Sequence, residues 1–329
     1  MEEKLNNNDL EYNHIQRASE DALKYIDLRR KGKIRSLKTC WKKLNSKLMG
    51  GFEWRTITTV AGMSGSGKSS MANQLETSFF DHNPREDFSV LSFNFEMMAF
   101  KQVGRKISSK MDKTVTELYS GNSNLSDDDY KKAEGHVNSD IKTYDIYYVD
   151  VPGSVEEIYN TILKFHKEQQ KIKGPYYGTV VMLDHTLLTR GAQGASEREV
   201  LARLYKMFML LKKKIKCIFI ALSQLNREIE KSERLSNPMQ NYPMKKDIFG
   251  SDSVFHGSDY VIISHKPFML NLQTYGPPKL PILNPLDNTQ AMIYWHIIKN
   301  RDGESGLVLS MLDNLKHNKI DEYQQIIKP

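Results

Sequence analysis

A chain of 329 residues is long enough to bury a substantial core, either as one large α/β domain or as two smaller ones. Its two cysteines, Cys40 and Cys217, are too few for a disulfide framework or a cysteine-based zinc site, and its longest apolar run, near Cys217 to Leu222, is far short of the roughly 20 residues that cross a bilayer. The formal net charge of +7 suits a polyanionic partner, although alone it says little.

The first ten residues are polar and acidic, unlike a secretory leader, and are expected to be disordered; the expectation is a soluble, cytoplasmic protein. From Tyr12 to Arg30 the apolar residues Ile15, Ala18, Ala22, Tyr25, Ile26 and Leu28 make one stripe of a helix, which Arg29 to Lys33 then ends with basic residues and Gly32. Such a helix either packs on its own domain or docks as an arm on a neighbouring subunit.

Arg55 to Ala61 is rich in β-branched residues and reads as a strand. It runs into Gly62-Met63-Ser64-Gly65-Ser66-Gly67-Lys68-Ser69, which fits G-x-x-x-x-G-K-[ST] and opens a helix expected from Lys68 to His82. Strand, loop and helix in that order make a phosphate cradle. The glycines let the backbone approach an anion closely, and the helix start aims N–H groups and a positive dipole end at it. Gly62, Ser64, Gly65, Ser66, Gly67, Lys68, Ser69 and Ser70 are the candidate nucleotide contacts. Lys68 is expected on the β- and γ-phosphates of ATP, and Ser69 on Mg²⁺.

Beyond this point strand-like runs alternate with helical ones. Strands are expected at Ser89 to Phe95, Ile146 to Val149, Val180 to Asp184, Cys217 to Leu222, Tyr260 to Ser264, Met292 to Ile298 and Leu307 to Leu312. Helices are expected at Met97 to Ser109, Val155 to Lys171 and Glu197 to Lys214. The order implies an α/β fold with a mainly parallel twisted sheet flanked by helices, closed by an antiparallel edge pair. Glu228 to Lys246 and Pro267 to Gln290 are long for connections in a compact domain, and each is expected to be functional or mobile.

Three strand ends carry chemistry. Gly178 to Asp184 is an apolar strand ending in an acid that would hold Mg²⁺ directly or through water. Glu96 closes an earlier strand, where it either deprotonates an attacking water or merely begins the next helix. Gln224 stands in the polar cluster that follows the strand Cys217 to Leu222 and would sense a γ-phosphate.

The P-loop with Ser69, Phe95-Glu96-Met97, the strand-final Asp184 and Leu222-Ser223-Gln224-Leu225-Asn226-Arg227 follow one another in an order and spacing that resemble the RecA-like ATPase domain of the DnaB family of replicative helicases. Ile297 to Gly303 is similar to that family's K-x-R-N-G segment, although its Asn and Asp differ in placement. The resemblance spans about Ser36 to Leu312.

It implies Lys68 and Ser69 on phosphate and Mg²⁺, Glu96 as catalytic base, Asp184 as metal-side acid, and Gln224 as coupling residue. Lys299 and Arg301 would act on the γ-phosphate of an adjacent subunit. It also implies a loop from Lys246 to Ser253 that holds single-stranded DNA through Lys245, Lys246, Gly250, Ser251 and Ser253. Phe249 and Gly250 stand where the family commonly has Arg-Glu, and Asp252 stands where glycine is usual.

The implied assembly is a homo-oligomer, a hexameric ring, with a primase or helicase loader as partner and no membrane. The family's N-terminal helical domain is not evident, a layout similar to phage or mobile-element versions, which would act in the bacterial host cytoplasm. The domain plan is a disordered start and linker helix over 1–35, the ATPase domain over 36–315 and a tail over 316–329. A recombination ATPase that forms filaments and a nucleotide-gated replication assembly factor are the competing functions.

Overall fold

A computed structural model describes residues 12–122, 125–191, 193–272 and 274–323. The expected disorder of the first ten residues and the outer part of the expected tail fall outside this set. The chain divides at Ser36 into a short N-terminal unit and a large second unit. The short unit contains helix α1 (Ile15–Arg30), started by the His14 ring, which accepts Gln16 N–H, and ended by Arg29 and Arg30 in the last turn. None of its residues is buried, and Ile15, Tyr25 and Ile26 of its apolar stripe are exposed.

The large unit runs α2 (Lys42–Lys47), β1 (Thr56–Gly62), α3 (Lys68–His82), β2 (Phe88–Asn94), α4 (Ala99–Met111), α5 (Val115–Tyr119), α6 (Asp127–Ser139) and β3 (Ile146–Val149). It continues with α7 (Val155–Lys173), β4 (Gly178–Asp184), α8 (Glu197–Lys214), β5 (Cys217–Gln224), α9 (Ser232–Leu235), α10 (Ser251–Gly257), β6 (Tyr260–His265), β7 (Met292–Asn300), β8 (Leu307–Asn314) and β9 (Lys319–Glu322).

One sheet of order β3-β2-β4-β5-β1-β6-β7-β8-β9 unites the strands. The six from β3 to β6 are parallel, and β7, β8 and β9 continue antiparallel. The strands β1, β2 and β4 are buried along their whole length, as a sheet covered on both faces requires. Side chains alternate between the two covering layers. Val60 joins Leu75, Phe79 and Trp295 on the α3 side, whereas Ile57 and Ala61 join Leu204, Phe208 and Phe219 under α7 and α8.

The RecA-like, mainly parallel α/β fold read from the sequence is therefore the observed one: α3, α8 and β3 stand at their expected limits, and α7, β4, β5, β6, β7 and β8 run slightly longer. β1 ends at Gly62 instead of Ala61, β2 and α4 are shifted along the chain, and α1 begins at Ile15 instead of Tyr12. The antiparallel region is larger than the expected edge pair, because β7 also runs against β6 and β9 adds a further strand. β9 lies within the segment 316–329 that the sequence reading set aside as a tail.

The two long connections are folded. Tyr275 and Leu272 are buried with Met292 and Tyr294 in a third small core, against which Leu235 and Tyr242 pack. Asn241 clips the two segments together by donating to Thr274 O (3.0 Å) and accepting Gly276 N–H (2.8 Å).

Candidate nucleotide and DNA site

Parallel strands deliver their carboxyl ends to one edge of the sheet, and β1, β2, β4 and β5 are neighbours there. Asn94 is in register with Asp184, and Gly62 with Gln224. The four loops that follow these strands therefore converge, as binding sites of open α/β sheets do.

The loop after β1 is built around its glycines. Gly65 and Gly67 hold φ of +76° and +91°, conformations open mainly to glycine, and a Cβ on Gly62 would strike Ser66 Oγ and the Ser264 carbonyl. The Ser66 hydroxyl donates to Met63 O (2.8 Å), and Ser264 Oγ donates to Ser66 O (2.7 Å), so the cradle is fixed from both sides. Ser64 and Gly65 lie exposed at its tip, and Ser70 is buried in the first turn of α3. The first N–H groups of α3 have no intrahelical acceptor and face the cradle.

Lys68 is buried, and its ammonium donates to the carbonyls of Gly62 and Met63, both at 2.8 Å. Burial lowers its pKa to about 8 against the pull of Asp184 and Glu96. Asp184 is also buried, which raises its pKa; a hydrogen bond from Ser69 opposes that rise, and the charge of Glu96 adds to it. Glu96 itself is exposed, one residue beyond the strand-bound Phe95.

Two members of this constellation were not visible in the sequence. Arg105 on α4 is drawn toward Asp184 and Glu96, while burial lowers its pKa; its Nη1 is buried without a partner. A buried donor left open in this way marks room for an acceptor. His185 follows Asp184, and its Nε2 lies 3.2 Å from the Gln224 amide. Its Nδ1 accepts Leu187 N–H (3.2 Å), so the neutral ring donates from Nε2 and pairs with the Gln224 oxygen once that amide is turned over. His185 thus links the strand end of Asp184 to that of Gln224. No periodicity or motif flags either residue.

Ser69 Oγ and the Asp184 carboxylate form a hard oxygen pair that fits Mg²⁺, which prefers to complete its octahedron with waters and phosphate oxygens. Beside the cradle, a cleft of about 870 Å³ is lined by Met97, Phe100, Arg105, Tyr119, Leu315 and Lys316 among others. Leu315 and Ile320 close on Gly67, leaving no space for a side chain there.

Lys299 and Arg301 are not part of this constellation. β7 runs antiparallel to β6, with Lys299 opposite Val261, Asn300 opposite Tyr260 and Arg301 N–H on Asp259 O, so both residues lie toward the amino ends of the parallel strands, away from the cradle that follows Gly62. Arg301 is half exposed and its Nε is 2.8 Å from Asp259 Oδ1. Lys299 donates to Phe255 O and lies over the Phe255 ring at 5.0 Å; burial lowers its pKa.

The candidate DNA loop follows β5. Lys245 pairs with Asp252 (3.1 Å) and shares the Phe255 ring at 4.9 Å, and Lys246 is exposed. Gly250 takes φ +63° and faces Leu201, which leaves no room for a Cβ; Ser251 and Ser253 are half-buried in the following turn.

Among the described residues no helix is long and apolar enough to cross a membrane. In sequence the chain is 24% identical over 176 residues to the replicative DNA helicase DnaB of Mycobacterium leprae, covering 53% of this chain and 27% of that protein. It is 23% identical over 236 residues to the DnaB of Buchnera aphidicola, covering 71% and 47%. The chain thus spans less than half the length of the curated relatives it matches.

In structure it resembles a solved ATPase domain over nearly its whole length (TM-score 0.76, 18% identity, 95% of this chain and 100% of that one). It also resembles a DnaB-like replicative helicase described with its interactions with primase (0.72, 18%, 96% and 68%). A KaiC-like protein of Pyrococcus horikoshii shares the fold more distantly (0.52, 15%, 88% and 100%). The DnaB-like helicase C-terminal domain matches residues 36–318, which include every residue of the site just described except Ile320, and the chain belongs to that family.

Proposed function

We propose that the protein is an ATP-driven replicative DNA helicase that moves along single-stranded DNA and parts a duplex as a ring of identical subunits, a hexamer. The observation that carries this reading is the convergence of Lys68, Ser69, Asp184, Glu96 and Gln224 on one sheet edge, with Lys299 and Arg301 at the other. A nucleotide held at the first edge can meet those two cations only from another copy.

In this reading the loop N–H groups and Lys68 bind the phosphates, with Ser69 and Asp184 as the protein's ligands to Mg²⁺. The metal, when bound, neutralises charge on the β- and γ-phosphates. Glu96 takes the proton of the attacking water, Arg105 offers its open Nη1 to a phosphate oxygen, and Gln224 senses the γ-phosphate. The nucleoside occupies the cleft beside Arg105, whose volume is that of ordinary ligand pockets. Arg301 of one subunit stabilises developing charge in the next, which makes hydrolysis depend on assembly.

The net charge of +7 and the lysines at 245 and 246 support a phosphate-backbone contact that needs no base recognition. A primase or a loader is the partner of choice, and the bacterial cytoplasm, a host's if the gene is a phage's, the place of action.

The test is strand separation on a forked duplex. The wild-type protein separates strands only with ATP and Mg²⁺, and Lys68→Ala abolishes both hydrolysis and separation. Glu96→Gln lowers kcat by about 10²–10⁴-fold and keeps ATP binding. Closed rings on DNA accompany this result; extended filaments with strand exchange and no unwinding would overturn it in favour of a recombinase.

A further inference from the structure

Gln224 and the candidate DNA loop are joined by backbone. Gln224 O accepts Phe249 N–H (3.0 Å), Asn226 N–H donates to Asp247 O (2.6 Å), and the Asn226 side chain donates to Lys246 O (2.8 Å). Leu225 and Ile248 form an antiparallel bridge between them. A short ladder therefore ties the end of β5 to residues 246–249, directly before Gly250.

That ladder is backed by a buried ion pair. Arg234 reaches Asp247 through two bonds, Nη1 to Oδ1 (2.5 Å) and Nη2 to Oδ2 (3.0 Å), with side-chain exposures of 8% and 0%. The guanidinium also donates to Gln240 O (3.0 Å) and Tyr242 O (2.8 Å), and Asp247 Oδ2 accepts Met244 N–H (2.7 Å). Five hydrogen bonds on one fork and one carboxylate gather residues 234, 240, 242, 244 and 247 around a single point.

Burying such a pair costs desolvation on both ions, and an apolar filling of the same volume is often as stable. What the pair supplies instead is one geometry, since a planar fork on a carboxylate fixes angle as well as distance.

We propose that the Arg234–Asp247 pair is a positioning latch. It makes the end of β5 and the loop from Lys245 to Gly250 move as one body, so that a shift of Gln224 at the γ-phosphate changes the grip on single-stranded DNA. Arg234 and Asp247 touch neither ligand in this scheme. The proposal rests on the reading of that loop as the DNA contact.

The experiment measures ATPase kcat and KM with and without saturating oligo-dT, and oligo-dT affinity with and without a non-hydrolysable ATP analogue. The double variant Arg234→Met/Asp247→Leu leaves no unpaired buried charge and is compared with Arg234→Lys, which keeps the charge and loses the fork. Basal kcat, KM and nucleotide affinity should stay near wild type, while the stimulation by oligo-dT falls by about fivefold or more, the range of ordinary site-to-site coupling. Lys245→Ala/Lys246→Ala should instead weaken oligo-dT affinity and leave the stimulation at saturation unchanged.

A folded double variant with wild-type stimulation overturns the latch. A wild-type protein that neither binds oligo-dT nor is stimulated by it overturns the DNA reading beneath it, and the two failures are distinct. Hydrogen exchange on the unaltered protein supplies a check free of folding defects. The ATP analogue should change exchange in segments 224–226 and 245–250 together, and a change in the first without the second also refutes the latch.

Discussion

The two edges of the sheet use the same kinds of side chain to opposite ends. At the carboxyl edge, Lys68, Ser69, Asp184 and Arg105 are buried or partly buried beside the exposed Glu96, and the carboxylate charges of Asp184 and Glu96 favour the charged forms of Lys68 and Arg105. At the amino edge, Arg301 is half exposed and held by one partner, Asp259, whose other oxygen takes Lys212 (2.6 Å) and Ile57 N–H (2.8 Å). The first edge is tuned inward, toward a ligand that enters it. The second holds a partly exposed cation against Asp259, where a neighbouring copy could reach it. In the proposed ring a complete site therefore needs both edges, from two copies.

Removing the outward cation tests this division most strongly. Arg301→Ala should lower ATP turnover by about 10³-fold, the lower end of what a trans arginine contributes. Mixing Arg301→Ala with Lys68→Ala subunits should restore part of the turnover, because some interfaces then join an intact Lys68 to an intact Arg301. Two inactive proteins that stay inactive when mixed would place Arg301 in its own subunit's structure instead.

A smaller effect is expected at the support. Asp259→Asn keeps an acceptor for Ile57 N–H but leaves Lys212 and Arg301 without their counter-charge, and should cost about 1–3 kcal/mol in chemical unfolding. Turnover should fall with it while ATP binding stays unchanged; a loss of ATP binding would mean that the two edges are not separable.

The mildest test concerns protons at the inward edge. Lys68 titrates near 8 because burial disfavours its charge, whereas a bound polyphosphate favours that charge. Above pH 8 the free protein must therefore take up a proton to bind nucleotide, and affinity should fall by about tenfold per pH unit until the pKa of the complex is reached. Calorimetry in two buffers of different ionisation heat reads that uptake directly. For the empty protein the sign is reversed. The unfolded chain keeps this lysine charged to about pH 10.4, so between 8 and 10.4 the folded state binds fewer protons, and this group's contribution to stability rises with pH.

What the sequence revealed was local. The cradle is contiguous, and Asp184 and Gln224 end long apolar runs, so both order and chemistry could be read along the chain. Residues whose partners are distant were silent: Arg105 acquires meaning only when α4 packs on α3 and brings it into the field of Asp184 and Glu96, and Arg234 meets Asp247 thirteen positions on, across a segment without periodicity. Helix α6 escaped notice because it buries no residue, and β9 because Ile320 is the lone apolar side chain in Lys319-Ile320-Asp321-Glu322. The two connections expected to be functional or mobile fold against one another, through Tyr242 and Tyr275 rings 4.8 Å apart, a contact no window of sequence contains.

The closing of the domain has a consequence for its synthesis. The Trp41 indole donates to Ile320 O (2.8 Å), a contact spanning 279 residues, and Ile320 N–H in turn donates to Gln74 Oε1 (2.9 Å) on the helix that carries Lys68. Ile320 and Leu315 also press on Gly67 itself. The phosphate loop is translated early but finished last, since its wall emerges only after some 250 further residues. Contacts of such separation form slowly, and segments made meanwhile expose apolar faces to other chains. A growing chain thus cannot complete the wall of its phosphate loop until β9 has left the exit tunnel.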